Sequence, residues 1–377
     1  MLAAEAHAMS SHDPTLVIDA YGGYDAPRAV VAAAAARSLE GKAHIVLVGD
    51  GPLLSREVAR HSYDPMRLRI IAAGAPQPRV TGDHLALTEA ARSSLPLAFA
   101  MLRDGEADAL ITCSPPRLVT LLAAEQLRPL VPTWRRPQDG ENAAAVPSAL
   151  ASVVPTMPRS GHEDPFALLL DVGGGSGASA DALCAFAVLG ASYARVVSGI
   201  RQPSVALLST GLDPSDGPAA VVEANRRLRA DRSLRFVGNV RAIDIPRGLA
   251  DVVVVEGFAG HAVRGLLEGL TDLTVEAARY AWKTKTTWRI GLRLLSQGVG
   301  MLRRVSEFRQ YGGAPLLGYE KLVLLADASS AEAAISNALK LAGKCVRHDL
   351  QGATAQQLAQ STTWRSQPIV AAEVDFD

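Results

Sequence analysis

Eight short apolar runs recur along the chain: Leu16–Ile18, Ile45–Val48, Leu68–Ile71, Ala109–Ile111, Ala167–Leu170, Val205–Leu208, Val252–Val255 and Leu322–Leu325. Each is apolar at successive positions rather than at alternate ones, so each has both faces to bury. Helix-like stretches separate them. Fully apolar strands alternating with helices predict an α/β fold, a doubly wound and mostly parallel sheet covered on both faces. Ligands of such sheets sit beyond the carboxyl ends of the strands, and this is where the glycines of the sequence gather.

The pattern breaks in three places. Residues 1–14 show no periodicity and are expected to be a flexible tail, with an alternative start at Met9. They have neither the basic start nor the long apolar stretch of a signal peptide. Residues 128–162 carry Pro129, Pro132, Pro137, Pro147, Pro155 and Pro158 and read as an inserted loop. Residues 346–377 turn rich in Gln, Ala and Thr and read as a loosely packed appendage. One α/β domain over 15–345 remains.

Length and composition fit a full core, with 377 residues of which 48% are hydrophobic. Basic and acidic residues balance at 38 each, so no global field concentrates a polyanion, and nucleic acid is not an expected partner. Cys113, Cys184 and Cys345 lie far apart with no CxxC pair, which fits a reducing cytoplasm. The eight histidines are scattered singly, and neither a metal site nor a cofactor is expected.

Three turns carry candidate chemistry. Asp19-Ala20-Tyr21-Gly22-Gly23-Tyr24-Asp25-Ala26-Pro27 follows the first strand, and Gly22 and Gly23 permit a tight turn with outward amides suited to an anion, with Asp19 and Asp25 beside them. A turn with no ligand is the plain alternative. FALLLDVGGGSGA at 166–178 ends a strand in Asp171, and the amides of Gly173, Gly174, Gly175 and Ser176 lead toward a helix over Asp181–Val197, an arrangement that stabilises phosphate or an oxyanion. Gly173, Gly175 and Ala178 also satisfy GxGxxA, but the next strand ends in Ser209-Thr210-Gly211 without the acid that would hold a ribose. Glu256-Gly257-Phe258-Ala259-Gly260-His261 follows Val252–Val255, with His261 as a general acid, an oxyanion donor or a simple helix cap. Arg92 and Ser93 precede Ser94, a helix N-cap candidate with proline in the first turn, and Arg92 suits a phosphate or a plain solvated surface.

Residues 279–309 hold eight basic side chains against the single acid Glu307. Trp288, Leu292, Leu295, Val299 and Leu302 form one apolar helical stripe. A basic, Trp-bearing amphipathic segment suits an anionic membrane surface, and the stripe fits equally a helix packed on the core or on a second subunit.

From Leu16 to Ala342 the order of segments resembles the bacterial fatty acyl-ACP:phosphate acyltransferase (PlsX) family, as a divergent member. DAYGGYDAP at 19–27, SSLPLAFAMLRDGEADALIT at 93–112, CAFAVLGASYAR at 184–195, FVGNVRAIDIPRGLADVVVVEGFAG at 236–260 and YGGAPLLGY at 311–319 carry the resemblance. It implies the fold of phosphotransacetylases and isopropylmalate dehydrogenases, a homodimer, and peripheral contact between 279–309 and the inner face of the plasma membrane. Departures fall on polar positions. The family's DxMGGDxxP has Tyr21 and Tyr24 at its Met and second Asp, SAGNTGA is Thr112–Leu118 with Pro115 and Pro116, and DxGANxDC is Asp171–Ala178. Its GEE turn is Gly211-Leu212-Asp213, the lysine after DGFxGN is Gly265, and HGxS is Asp327–Ser330.

The resemblance implies acyl transfer from acyl carrier protein to inorganic phosphate for lipid synthesis. Phosphate would be bound by the glycine-turn amides with Arg92 and Arg117, and His261 or Arg264 would assist the oxyanion or the leaving thiolate. The alternatives are a lapsed paralogue that binds acyl-ACP or a partner enzyme without turnover, and an NAD-dependent dehydrogenase on the related fold.

Overall fold

All eight apolar runs form strands in the computed structural model, which describes residues 13–73, 94–130, 148–157, 166–173, 175, 177–284, 287–288, 291, 312–327, 330–361 and 363. They are β1 (Thr15–Asp19), β2 (His44–Gly49), β3 (Leu68–Ala72), β4 (Ala109–Thr112), β6 (Phe166–Leu170), β7 (Ser204–Leu208), β9 (Val252–Val254) and β11 (Leu322–Leu325). Three more, β5 (Ala149–Pro155), β8 (Arg235–Val240) and β10 (Ala314–Leu317), complete one sheet in the order β3-β2-β1-β4-β11-β10-β5-β6-β9-β7-β8.

The sheet has two parallel blocks. β3, β2, β1, β4 and β11 run one way, and β6, β9, β7 and β8 run together in the second block. Antiparallel pairings of β10 with β11, β10 with β5 and β5 with β6 join the blocks and reverse their direction. This corrects the reading of 128–162 as a loop. Its residues 149–155 are a central strand, with Ala149, Leu150, Ala151 and Val154 buried. Pro155 ends it opposite Phe166, a place where a missing N–H costs least.

Helices cover the sheet because their apolar residues recur at three and four. In α1 (Arg28–Leu39) every residue from Ala29 to Ala35 is buried. It packs against α8 (Glu332–Arg347), which buries Ala334, Ile335, Ala338, Leu339, Ala342 and Cys345. Between these in sequence lie α2 (Gly51–Val58), α3 (Ser94–Arg103), α4 (Pro116–Gln126), α5 (Ala180–Val196), α6 (Ala219–Ala230) and α7 (Gly257–Thr284). α5 is buried from Leu183 to Ala194, and its N-cap Ser179 accepts from the Ala182 amide at 3.2 Å.

The reading of 346–377 as a loose appendage is corrected for its first part. α9 (Leu350–Gln360) buries Leu350, Thr354, Gln357 and Leu358 and packs on α5. Ser192 Oγ of α5 donates to Gln357 Oε1 at 2.7 Å. By contrast, α7 buries only Gly257 and Gly260 and leaves Leu266, Leu270, Leu273, Tyr280 and Trp282 exposed. No helix among the described residues is long and apolar enough to cross a membrane.

Candidate functional site

Two buried aspartates organise the strand ends that face each other across the junction of the blocks. Asp19, at the end of β1, is 1% exposed and accepts from Ser94 Oγ (2.5 Å), Thr112 Oγ1 (2.9 Å), Ser114 Oγ (3.0 Å) and the Tyr21 amide (3.2 Å). It thereby ties the first glycine turn to the start of α3 and to the turn after β4. Burial pushes its carboxyl above the ordinary value, and the four hydrogen bonds pull the other way without cancelling the effect. Ser94 does not act as the N-cap anticipated from sequence. It is the first residue of α3, and its hydroxyl is committed to Asp19.

Asp171 does the same for the second block. Oδ1 accepts from the Leu150 amide of β5 at 2.8 Å and from Gly173 at 3.1 Å, and Oδ2 accepts from Gly175 at 3.0 Å. Two amides that the sequence offers to an anion therefore hold the turn together instead. The start of α7 lies directly against this turn. A Cβ on Gly257 would stand 2.0 Å from the Gly175 carbonyl oxygen, and one on Gly260 would stand 1.8 Å from that of Asp171. Gly22, with φ of +101°, makes the matching approach in the first block, 2.6 Å from Cβ to the Ser114 nitrogen. These glycines are spacers that let backbones touch. The free end of α7 is capped by Glu256, whose carboxylate accepts from Phe258 (3.3 Å) and Ala259 (2.9 Å), so His261 is not the cap.

Between the two organised ends lies a cavity of about 670 Å³. Leu150, Val153, Val172, Phe258, Ala314 and Leu325 give it an apolar wall, and Arg117, His261 and Arg264 bring donors to it from α4 and α7. Arg264 is aimed by two carboxylates, Glu268 Oε1 at 2.8 Å from Nε and Asp327 Oδ2 at 3.8 Å. Glu268 escapes notice when the search is confined to glycine turns, and Asp327 is met in the sequence only as the start of the segment at the family's HGxS. The signal for Glu268 is its i,i+4 spacing from Arg264 on one helix.

Cys113 also lines the cavity, but burial, with Asp19 and Asp327 nearby, pushes its thiol up to about 12. It is therefore a neutral wall residue at physiological pH. Native protein treated with iodoacetamide at pH 8 is expected to leave Cys113 unmodified by mass spectrometry, with rapid labelling only after unfolding. Among the described residues no group of three His, Cys, Asp or Glu is disposed to hold a metal ion.

The other sequence candidates separate. Gly173, Gly175, Gly257, Arg117, His261 and Arg264 line the cavity, while Asp19, Gly22, Ser94, Asp171 and Gly260 stand behind its wall. Gly23 and Asp25 belong to the first turn, where their carbonyls accept from Ala26 and Ala29. Gly211 and Asp213 form a separate turn after β7, closed by Asp216 and Ser215, away from the lining. Arg92, Ser93, Gly174, Ser176, Leu292, Leu295, Val299 and Leu302 lie outside the described residues. Trp288 is 45% exposed.

Two solved structures share this architecture. A phosphotransacetylase from Streptococcus pyogenes aligns with a TM-score of 0.54 at 17% identity, covering 92% of this chain and 94% of that one. The EutD phosphotransacetylase from Staphylococcus aureus gives 0.53 at 14% identity, covering 88% and 94%. The fold is thus of the phosphotransacetylase class.

Sequence similarity is narrower. The phosphate acyltransferase of Pelobacter propionicus is 31% identical over 350 residues, 92% of this chain and 94% of that protein. That of Moorella thermoacetica is 31% identical over 352 residues, 92% and 98%. Residues 15–352 match the family described as fatty acid synthesis protein, and the chain belongs to that family, in which acyl transfer to phosphate is the shared activity.

Proposed function

We propose that the chain transfers an acyl group from an acyl thioester on acyl carrier protein to inorganic phosphate, releasing acyl phosphate for lipid synthesis. The observation that carries this reading is the cavity itself. It combines a long apolar wall with Arg117, His261 and Arg264, the pairing an acyl chain and a phosphate require. In the reaction a phosphate oxygen attacks the thioester carbonyl, a C–O bond forms, the C–S bond breaks, and the phosphate proton leaves with the thiolate. On this reading Arg264, steadied by Glu268 and Asp327, and His261, beside Gly173, are the donors for the charge on the oxyanion and the departing sulfur.

The family's lysine position is Gly265, which lines the same cavity next to Arg264. Arg264 therefore supplies a cation one residue from the position where the lysine is absent. Exposed Trp282 and Trp288, with the basic segment 279–309, support peripheral contact with an anionic membrane, and the exposed apolar face of α7 supports a homodimer.

Purified protein given acyl-ACP and phosphate is expected to yield acyl phosphate, trapped as hydroxamate and measured by mass spectrometry. Arg264→Ala should lower the rate by roughly a hundredfold, the scale of a lost charge-stabilising donor. Capture of acyl-ACP with no product from folded protein would replace catalysis with a binding role.

A further inference from the structure

At the amino ends of β7 and β8, among residues none of which lines the central cavity, a second hollow of about 250 Å³ opens. Arg195 from the end of α5, Gln202 before β7, and Arg232, Ser233 and Arg235 at the start of β8 line it. A neighbouring hollow of about 340 Å³ shares Arg195 and is walled by His348 and by Gln356, Gln357 and Gln360 of α9.

Several arginines elsewhere in this half of the molecule are ion-paired, Arg201 beside Gln202 being an exception. Arg226 and Arg227 hold Glu223, and Arg241 and Arg247 hold Asp244. Among the described residues the side chains of Arg195, Arg232 and Arg235 have neither an ion pair nor a hydrogen bond. The nearest acid in sequence, Asp231, is occupied by Ser233 Oγ (2.6 Å), Ser361 Oγ (2.7 Å) and Thr363 Oγ1 (2.9 Å).

Three arginines lining one concavity offer a donor set that an anion accepting two bonds from a fork would stabilise. An independent observation comes from the adjoining wall. Gln357 is 4% exposed, its Oε1 is satisfied by Ser192, and its Nε2 is buried with no partner. Native proteins rarely leave such a donor unmet, and because this nitrogen is shielded from the hollow, a bound acceptor meets it only once the side chain turns outward.

We propose that these two hollows, which share Arg195, form a second ligand site for a small polyphosphate-bearing metabolite. Its adjacent phosphate groups lie on Arg195, Arg232 and Arg235, and its acceptor-bearing body lies along the glutamines of α9. The sizes agree with that division: the smaller hollow admits a diphosphate group and the larger a ring system. A single orthophosphate would leave most of this donor array unused, so the site differs in ligand class from the central cavity.

Isothermal titration of the intact protein with inorganic pyrophosphate, ATP, GTP and orthophosphate tests this. Saturable binding of at least one polyphosphate is expected, weakened about tenfold or more by Arg195→Ala and by the pair Arg232→Ala and Arg235→Ala, and unchanged by Arg264→Ala in the central cavity. The three arginines are exposed, so these variants should keep the wild-type Tm without ligand. Equal affinity for pyrophosphate and nucleotides would assign recognition to the phosphates alone, and tighter nucleotide binding would add the glutamine wall. No saturable binding of any polyphosphate, binding that survives the arginine replacements, or binding abolished by Arg264→Ala would overturn the proposal.

Discussion

Gly260→Ala is expected to cost about 3–5 kcal/mol of stability and to abolish acyl transfer, the largest effect of any single methyl group added to this protein. The new carbon would stand 1.8 Å from the Asp171 carbonyl oxygen and 2.9 Å from a Val255 methyl. Neither neighbour is a loose side chain end. Relief requires the first turn of α7 to move away from the Asp171 turn, and that movement carries His261 and Arg264 out of the cavity wall. Thermal unfolding followed by calorimetry, with the acyl phosphate assay on the same sample, would check both consequences. A control at Gly269 fits well, since a Cβ there meets nothing within 4 Å. Gly269→Ala should raise stability slightly by its helix propensity, and equal losses at both positions would refute the close-approach argument.

Asp171→Asn should be nearly as damaging although it preserves size and shape. The amide can place its oxygen toward Leu150 and Gly173, but its nitrogen then faces the Gly175 N–H that the lost oxygen had accepted at 3.0 Å. Two donors meet in a site that is 1% exposed. The cost of one such unmet buried donor is about 1–3 kcal/mol, and Asp171→Ala, which removes every acceptor, should cost more. A Tm that falls for Asn and further for Ala, with activity falling in the same order, is the expected result. An unchanged Tm for Asn would show that Asp171 does not organise the turn.

The strands that sequence makes legible are those with unbroken apolar runs, because a strand buried on both faces leaves a mark no loop imitates. The three it hides each contain a residue that ordinarily breaks a strand. β5 ends in Pro155, and β10 carries Pro315. β8 contains Gly238 with φ of +100°, and the register shifts at Val205/Ala206 where β7 pairs with it. Two of these three are the antiparallel strands that join the blocks, so the parallel architecture could be anticipated while its reversal could not.

The site was legible in the same partial way. Asp19, Asp171 and the glycines after them mark the strand ends, since buried carboxylates and tight turns restrict the choice of residue. What those residues touch depends on distant chain. Ser114 lies 95 residues from Asp19, and the Leu150 amide comes from an unforeseen strand. The amides of Gly173 and Gly175, which a local motif assigns to a ligand, prove to be held by Asp171, whose role is visible only once the turn has closed.

The reversal of the sheet also bears on how the chain is made. β10 and β11 sit between β4 and β5 but are synthesised more than 200 residues later than β4, at 314–317 and 322–325 against 109–112. While the ribosome is still adding the residues before 314, the facing edges of β4 and β5 have no partner, and both are apolar. A nascent chain therefore carries two open sheet edges through most of its elongation, the condition under which strands pair with the wrong neighbour. Chains halted before residue 314 should call on chaperones and aggregate, and the late hairpin of β10 and β11 acts as the bolt that joins two separately formed half-sheets.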